Sequence, residues 1–370
     1  MHIGNCAEAL CDYCEGIRIR EELQEQDRLY DLNDLATAYI NRGVALQNTN
    51  KYPEALCDYG KGIRIMEDIK KKGRLYDSND LATAYMNRGG AFWRTGNFIE
   101  ALRDYGECIR IREEMQAKGG LYDPNDLASA YLNHGNALRS IGKNDEALRS
   151  YDNCIRIRKD LEKKNRLYDP NSLASAYMNR GVTNDTIGKS KEALQDFGKC
   201  IRIRENLQKQ GKLYDLNDLA SAYMNRGVTN DTIGKNKEAL RDYGKCIRIR
   251  ENLQKQGKLY DLNDLASAYM NRGNTLADVG RNDKAMSDYI DCIRIMEDLH
   301  NQGRLYDLGD LATALLNKGI LLATGFHDTE GALEIINHAT SLLETEKKLS
   351  YNAQDTLKKL RKARDILTGK

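Results

Sequence analysis

The sequence predicts an all-α protein, a solenoid in which one pair of helices is repeated seven times with a period of 46 residues. The phrase Leu-Tyr-Asp recurs at this spacing without insertion, starting at Leu29, Leu75, Leu121, Leu167, Leu213, Leu259 and Leu305. Only three prolines occur in 370 residues, which favours helices because proline interrupts them. A single helix pair cannot bury its apolar faces alone, so neighbouring repeats are expected to stack.

The first helix of each repeat, helix A, is predicted to begin directly after the Leu-Tyr-Asp phrase. In the third repeat Asp123 precedes Pro124 and Asp126 follows. This pattern is typical of an N-cap, a proline at the first helical position and an acid in the first turn. In the fifth repeat helix A is expected over about residues 216–232, where apolar residues recur at helical spacing.

The second helix of each repeat, helix B, is predicted to follow a turn at a glycine such as Gly234. In the fifth repeat it covers about residues 236–256, with Tyr243 and Cys246 on a broad apolar face. It is expected to stop at Gly257, since glycine commonly ends a helix.

The two ends of the array depart from this pattern. Residues 1–28 are predicted to be an N-terminal half repeat with helix B only, which indicates either a trimmed array or an edge that something else covers. Residues 29–346 hold the seven repeats. Residues 347–370 are expected to form a C-terminal cap, with a polar helix at about 351–367.

Composition and charge exclude several classes of partner. A net charge of +2 gives no electrostatic case for nucleic acid or for an anionic membrane. No stretch approaches the roughly 20 apolar residues of a membrane helix, and the N-terminus lacks the features of a secretory signal. A soluble chain in the cytoplasm is therefore expected.

The cysteines and histidines give no support for a metal, a cofactor or catalysis. Five of the nine cysteines share one repeat position and are expected to be buried, namely Cys108, Cys154, Cys200, Cys246 and Cys292. Cys11 and Cys14 could supply half a metal site, but no second pair matches them, and burial is the preferred interpretation. The five histidines have no ligand spacing, and no nucleophile–base pair recurs, so the protein is not expected to be an enzyme.

The repeat resembles the tetratricopeptide repeat. The aromatic, small, turn-glycine, alanine and aromatic positions of that family correspond to Tyr223, Gly227, Gly234, Ala239 and Tyr243. The period is longer than the family's usual ~34 residues, and in this respect the repeat is similar to the long repeats of kinesin light chain. The resemblance implies a right-handed superhelix with a concave groove lined by helix A, in a protein that serves as an interaction scaffold.

One position of helix A carries asparagine in all seven repeats, and these residues form the asparagine row: Asn41, Asn87, Asn133, Asn179, Asn225, Asn271 and Asn317. A carboxamide both donates and accepts, which suits the backbone of an extended peptide. The resemblance implies that this row faces the groove and holds such a peptide. The alternative is a hydrogen bond between repeats that fixes the pitch of the superhelix.

The next position is a row of cations: Arg42, Arg88, His134, Arg180, Arg226, Arg272 and Lys318. They either attract acidic groups of a partner or pair with an acid of the next repeat, and the structural pairing is preferred. Other residues expected in the groove are Gln47, Asn48, Trp93, Arg94, Arg139, Asp185, Asp231 and Asp278. Trp93 is interpreted either as an aromatic anchor for a partner or as a packing residue between helices.

Three further positions carry expectations about packing. Asn184 and Asn230 occupy a position that is apolar in the other repeats, so the middle repeats are expected to pack less well, or these amides to bond one another. The arginines of the Ile-Arg-Ile-Arg phrases are expected on a solvated face. Nearly all tyrosines lie at three repeated positions and are interpreted as packing residues.

The function predicted from these patterns is a scaffold that binds an extended peptide or a partner protein in its groove through the asparagine row, which is compatible with a larger complex. The alternative is a regulatory or adaptor subunit that packs on an effector enzyme through its outer face or N-terminal edge. RNA binding is disfavoured, because base-reading repeats vary their reading residues and this asparagine does not vary.

Overall fold

The chain folds into helices joined by short turns. The computed structural model describes residues 3–26, 28–29, 31–120, 123–213, 215–346 and 348–369, with side chains from residue 9 onward, and in this part of the chain no strand is present. The chain divides into two compact units, Met1–Ile187 and Gly188–Lys370.

Each unit contains eight helices within its described residues. The first unit holds α1 (Ile3–Glu25), α2 (Leu32–Asn48), α3 (Tyr52–Lys71), α4 (Ser78–Arg94), α5 (Phe98–Ala117), α6 (Pro124–Ser140), α7 (Asn144–Lys163) and α8 (Pro170–Thr186). The second unit holds α9 (Ser190–Lys209), α10 (Leu216–Thr232), α11 (Asn236–Lys255), α12 (Leu262–Asp278), α13 (Asn282–Asn301), α14 (Leu308–Gly325), α15 (Thr329–Glu344) and α16 (Tyr351–Thr368).

Helices A and B of one repeat make the most extensive contacts, as between α2 and α3 or between α10 and α11. Each helix B then packs on the helix A that follows it in the same unit, and α16 lies against α14 and α15. The predicted α-solenoid of helix pairs is confirmed. Across the described residues, no helix combines the length and the apolar character needed to cross a membrane.

The predicted helix ends are also confirmed. The N-cap aspartate of every helix A accepts a hydrogen bond from the backbone N–H two residues later, as Asp123 does from Asn125. At the other end of the repeat, Gly257 has a φ of 65°, the left-handed conformation that favours glycine and ends α11.

A glycine in helix A sets how closely the two helices of a repeat approach. A Cβ atom on Gly227 would lie 2.7 Å from Cε1 of Tyr243, a side chain that is itself fully buried. The same contact recurs at Gly43, Gly89, Gly135 and Gly273 with the tyrosine of the adjoining helix B. The small residue in the repeat pattern is therefore required by an aromatic ring that fills the space of a side chain.

The cysteines divide into a buried and an exposed set. The five that share one repeat position are completely buried, as predicted. The expected burial of Cys11 and Cys14 is wrong, because α1 buries Ile17 against Leu35 and Tyr39 of α2 and turns these two thiols outward. In the described part of the chain no cluster of three or more His, Cys, Asp or Glu side chains could hold a metal ion.

The arginines of the Ile-Arg-Ile-Arg phrases lie in two different environments. The first of each phrase is exposed, as expected, but the second is buried in four repeats, as at Arg250. Arg250 Nη1 donates to the backbone oxygen of Asp264, 2.6 Å away, in the first turn of the following helix A. Arg112, Arg158 and Arg204 make the same bond. The expectation of a solvated face fails here because the guanidinium satisfies a carbonyl group of the next repeat.

One of the three tyrosine positions is not a packing position. The rings of Tyr76, Tyr168, Tyr260 and Tyr306 in the Leu-Tyr-Asp loops are 76–80% exposed. The hydroxyl of Tyr306 is hydrogen-bonded to Asp261, the N-cap residue of the preceding repeat, and the hydroxyl of Tyr260 is bonded to Asp215 in the same way. These tyrosines join successive loops through the hydroxyl and leave the ring in solvent.

A matched pair of glycine variants tests the close approach of helices A and B. Gly227→Ala is expected to destabilise the protein by about 1–3 kcal/mol, because the added methyl group collides with the Tyr243 ring. Gly244→Ala, on α11 with open space around it, is expected to stabilise by ~0.5–1 kcal/mol. Urea denaturation followed by circular dichroism measures both changes, and equal effects of the two variants would contradict the packing argument.

Thiol reactivity tests the division of the cysteines. Burial raises the pKa of Cys108, Cys154, Cys200 and Cys246 to about 11, so their reactive thiolate form is scarce at pH 8. Iodoacetamide at pH 8 is expected to modify Cys11, Cys14 and Cys57 within minutes and the buried thiols only after unfolding in urea, as read by peptide mass spectrometry. Rapid native labelling of the buried set would refute the packing described above.

Candidate functional site

The surface of helix A carries the residues expected to bind a partner. We call this surface the A-face and define it by the asparagine row and by the positions three, six and seven residues after each asparagine. In the second unit, Tyr269 and Gly273 of α12 are buried toward helix B, while Asn271 is half-buried and Asp278 is exposed. Helical periodicity therefore places the row beside the core and the later positions in solvent.

Two members of the asparagine row bind the preceding repeat. Asn179 Nδ2 donates to Oδ1 of Asn136 at 2.9 Å, and Tyr151 Oη donates to the same oxygen. In the second unit Asn317 Nδ2 donates to Oδ1 of Asn274 at 3.0 Å, and Tyr289 Oη again donates to that oxygen. At these two places the carboxamide holds repeats together, as the pitch-fixing alternative requires.

Other members of the row lack such a partner because the facing position has changed. The residue three positions after the row is asparagine only in two repeats, and it is Val44, Gly90 and Val228 in the repeats before Asn87, Asn133 and Asn271. Among the described residues, the side chains of Asn87 and Asn271 have no hydrogen-bond partner. Asn133 Nδ2 reaches only Sδ of Met86, at 3.8 Å.

A cavity of about 270 Å³ opens on the A-face of the first unit, where Asn133 lies beside Trp93. Trp93 packs against Ala101 and Tyr105, and its indole N–H is buried without an acceptor among the described residues. The guanidinium of Arg94 lies 5.8 Å from the centre of the indole ring. Trp93 thus both packs between helices and lines a cavity, so neither interpretation excludes the other.

A second cavity, of about 470 Å³, lies at the same register in the second unit, beside Asn317 and Asn274. Asp278 and Asn282 add polar groups to its wall, and Leu321 is among the apolar residues that line it. The A-face therefore carries an opening next to the asparagine row in each unit.

The cation row is engaged inside the fold. Arg226 Nε and Nη2 each donate to the carboxylate of Asp242 at 2.7 Å, and Asp242 is 0% exposed. Burial works against the charged guanidinium, but its bonds to Asp242 outweigh this and raise the pKa of Arg226. Equivalent pairs join Arg42 to Asp58, Arg88 to Asp104 and Arg272 to Asp288.

The acid in these pairs belongs to helix B of the same repeat, so the expected pairing with an acid of the next repeat is wrong. Arg180 also contacts Asp152 in helix B of the preceding repeat, at 2.5 Å. In the third repeat both partners are replaced together, and His134 Nδ1 lies 2.9 Å from Oγ of Ser150. Burial lowers the pKa of His134, which favours a neutral imidazole against a neutral hydroxyl.

Asn230 completes this network in the fifth repeat. Its Nδ2 lies 3.4 Å from Oδ2 of Asp242, and the side chain is buried. The amide therefore bonds the aspartate of its own repeat, which neither looser packing nor an amide–amide pair had anticipated. The remaining positions of the A-face differ in charge, with Arg94 and Arg139 exposed in the first unit, and Asp231 accepting a bond from the Thr275 hydroxyl in the second.

Family models and solved structures both match the chain. Models described as tetratricopeptide repeat match residues 81–115 and 265–303, and a second model of the same description matches 128–161, 174–207 and 220–253. No curated protein sequence matches significantly.

The structural matches span most of the chain at low sequence identity. The apo form of RapI is 14% identical, with 98% of this chain and 99% of that chain covered and a TM-score of 0.60. The signal transduction ATPase PH0952 of Pyrococcus horikoshii, which has a tetratricopeptide repeat sensor, gives 14%, 98%, 50% and 0.59. BtubC (BKLC) of P. vanneervenii gives 18%, 66%, 91% and 0.53. At these identities the likeness concerns the fold alone.

Exchange of the buried pair tests the structural role of the cation row. Arg226→Ala leaves the Asp242 carboxylate buried without its cation and is expected to cost about 3 kcal/mol. The double variant Arg226→His with Asp242→Ser copies the third repeat and is expected to recover most of this loss, as measured by the urea midpoint. A stable Arg226→Ala protein, or a double variant no better than the single one, would argue that the pair does not hold the repeat.

Proposed function

Since the chain belongs to the tetratricopeptide repeat family, we propose that it is a protein-interaction scaffold whose A-face binds an extended segment of a partner protein. The observation that carries this proposal is the set of carboxamides without a side-chain partner at one register, represented by Asn87, Asn133 and Asn271. Each offers a donor and an acceptor, which match the C=O and N–H groups of an extended backbone.

The remaining members of the row support this binding indirectly. Asn179 and Asn317 bond the preceding repeat, so they hold neighbouring A helices in a fixed relation. A surface that is ordered before the partner arrives loses less conformational entropy on binding. The paired amides therefore make the scaffold rigid, and the unpaired ones make the contacts.

Selectivity is supplied by the side chains around the row. In the first unit the segment passes the Trp93 cavity, where Arg94 and Arg139 project into solvent without an acid in the cavity wall. The cations of the row itself, including Arg88, Arg180 and Arg272, contribute mainly by keeping the helices in place, because their carboxylate bonds are already made within each unit.

Peptide selection followed by substitution in the asparagine row tests the proposal. Ten-residue peptides displayed as a random library are selected on the full chain, and the affinity of a selected peptide is measured by fluorescence anisotropy. The double variant Asn87→Ala with Asn133→Ala is expected to weaken binding at least tenfold with an unchanged urea midpoint, since these side chains support no other residue of the fold. Gln116→Ala, on the exposed end of α5, is the matched control.

The same experiment separates the other candidate functions. Unchanged affinity in the double variant, together with loss of partner binding after Ile19→Glu on the exposed face of α1, would replace the A-face by the N-terminal edge. A steep fall of affinity with salt would instead indicate contacts to phosphate groups.

A further inference from the structure

The larger cavity of the second unit has a wall that is already hydrogen-bonded. Oδ1 of Asn274 accepts from both Tyr289 and Asn317, and Asn282 Nδ2 donates to the backbone oxygen of Gly325 at 3.2 Å. These bonds fix the amides that border the opening. The cavity is therefore a preformed space of about 470 Å³ rather than a gap between loose side chains.

One charged group in the wall of this cavity has no partner. Asp278, the last residue of α12, is exposed, and among the described residues its carboxylate makes neither an ion pair nor a hydrogen bond. Burial, reinforced by the negative charge of Asp278, raises the pKa of Tyr289, which places that charge close to the ring. No cation is among the residues that line the cavity.

The rest of the lining suits an aliphatic chain. Leu321, Ile320 and the Tyr289 ring provide apolar surface between the asparagine row and Asp278. Lysine and arginine bury their methylene groups on such a surface while the cationic head stays at the rim. The cavity thus presents apolar contacts inside and a free carboxylate at its mouth.

The equivalent position has the opposite character in the first unit. Seven residues after the asparagine row lies Arg94 in the second repeat, where Asp278 lies in the sixth. Each lines a cavity at the same register of the A-face. The charge at this position is therefore a property of the individual cavity and not of the repeat.

We infer that the second-unit cavity is a specificity pocket for a lysine or arginine side chain of the partner segment, held by the Asp278 carboxylate and by apolar contact with Leu321 and Tyr289. The inference rests on the proposed function, since it assigns a side-chain preference to the same A-face. The Asn317 amide, which borders the cavity, is bonded within the fold, so the preference comes from Asp278.

Selected peptides and one neutral variant test the inference. Peptides from the random library, selected on the full chain, are expected to share a basic residue at one column, and its replacement by methionine is expected to weaken binding about fivefold. Asp278→Asn should abolish this difference while leaving the methionine peptide unaffected. Asp283→Asn, an exposed acid of α13 outside the cavity wall, is the matched control and should leave the difference intact.

The outcomes separate this inference from the proposed function. Peptides that bind through the asparagine row but show no basic column, or an unchanged preference in Asp278→Asn, overturn the specificity pocket alone. If no peptide binds, the proposed function fails, and a crystal soak with N-acetyl-lysine methylamide decides the pocket. Density for the ammonium group beside Asp278, absent in Asp278→Asn, supports it, and an empty cavity overturns it.

Discussion

The bidentate pair between a helix A arginine and a helix B aspartate is the interaction on which each repeat depends. A carboxylate with no solvent exposure, such as that of Asp242, is tolerated only with a hydrogen-bonded cation, and Arg226 supplies it from the facing helix. The pair fixes the crossing one turn from the place where Gly227 meets the ring of Tyr243. Where the arginine is replaced, as at His134, the aspartate is replaced too, so no unpaired charge is ever buried.

This constraint decides which residues of the A-face are available for a partner. The cation beside each asparagine is largely taken up by the fold, although it borders the groove in sequence. Chemistry toward a partner is left to the asparagine row and to the positions three, six and seven residues later. Those positions vary, with glycine opening one cavity at Gly90 and opposite charges at Arg94 and Asp278, whereas the helix-pairing residues do not.

Local signals in the sequence were sufficient for the helices, and contacts between repeats were not. The N-cap at Asp123 and the stop at Gly257 depend on neighbours within a few residues, so the bounds of the helices could be predicted. The burial of Arg250 and the exposure of Tyr306 depend on where the adjacent repeat places a carbonyl group or an N-cap carboxylate. Both side chains are amphipathic, and composition alone does not decide which end faces solvent.

The asparagine row shows why one repeated residue can serve two purposes. Whether an amide is bound within the fold depends on a second column, the residue three positions after the asparagine of the preceding repeat. Asparagine there, at Asn136 or Asn274, accepts the amide of the next repeat, whereas valine or glycine cannot. A comparison of residues 43 apart in the sequence would have revealed this pairing. The array therefore distributes rigid junctions and free carboxamides along the A-face by varying a neighbour, while the asparagine itself stays the same.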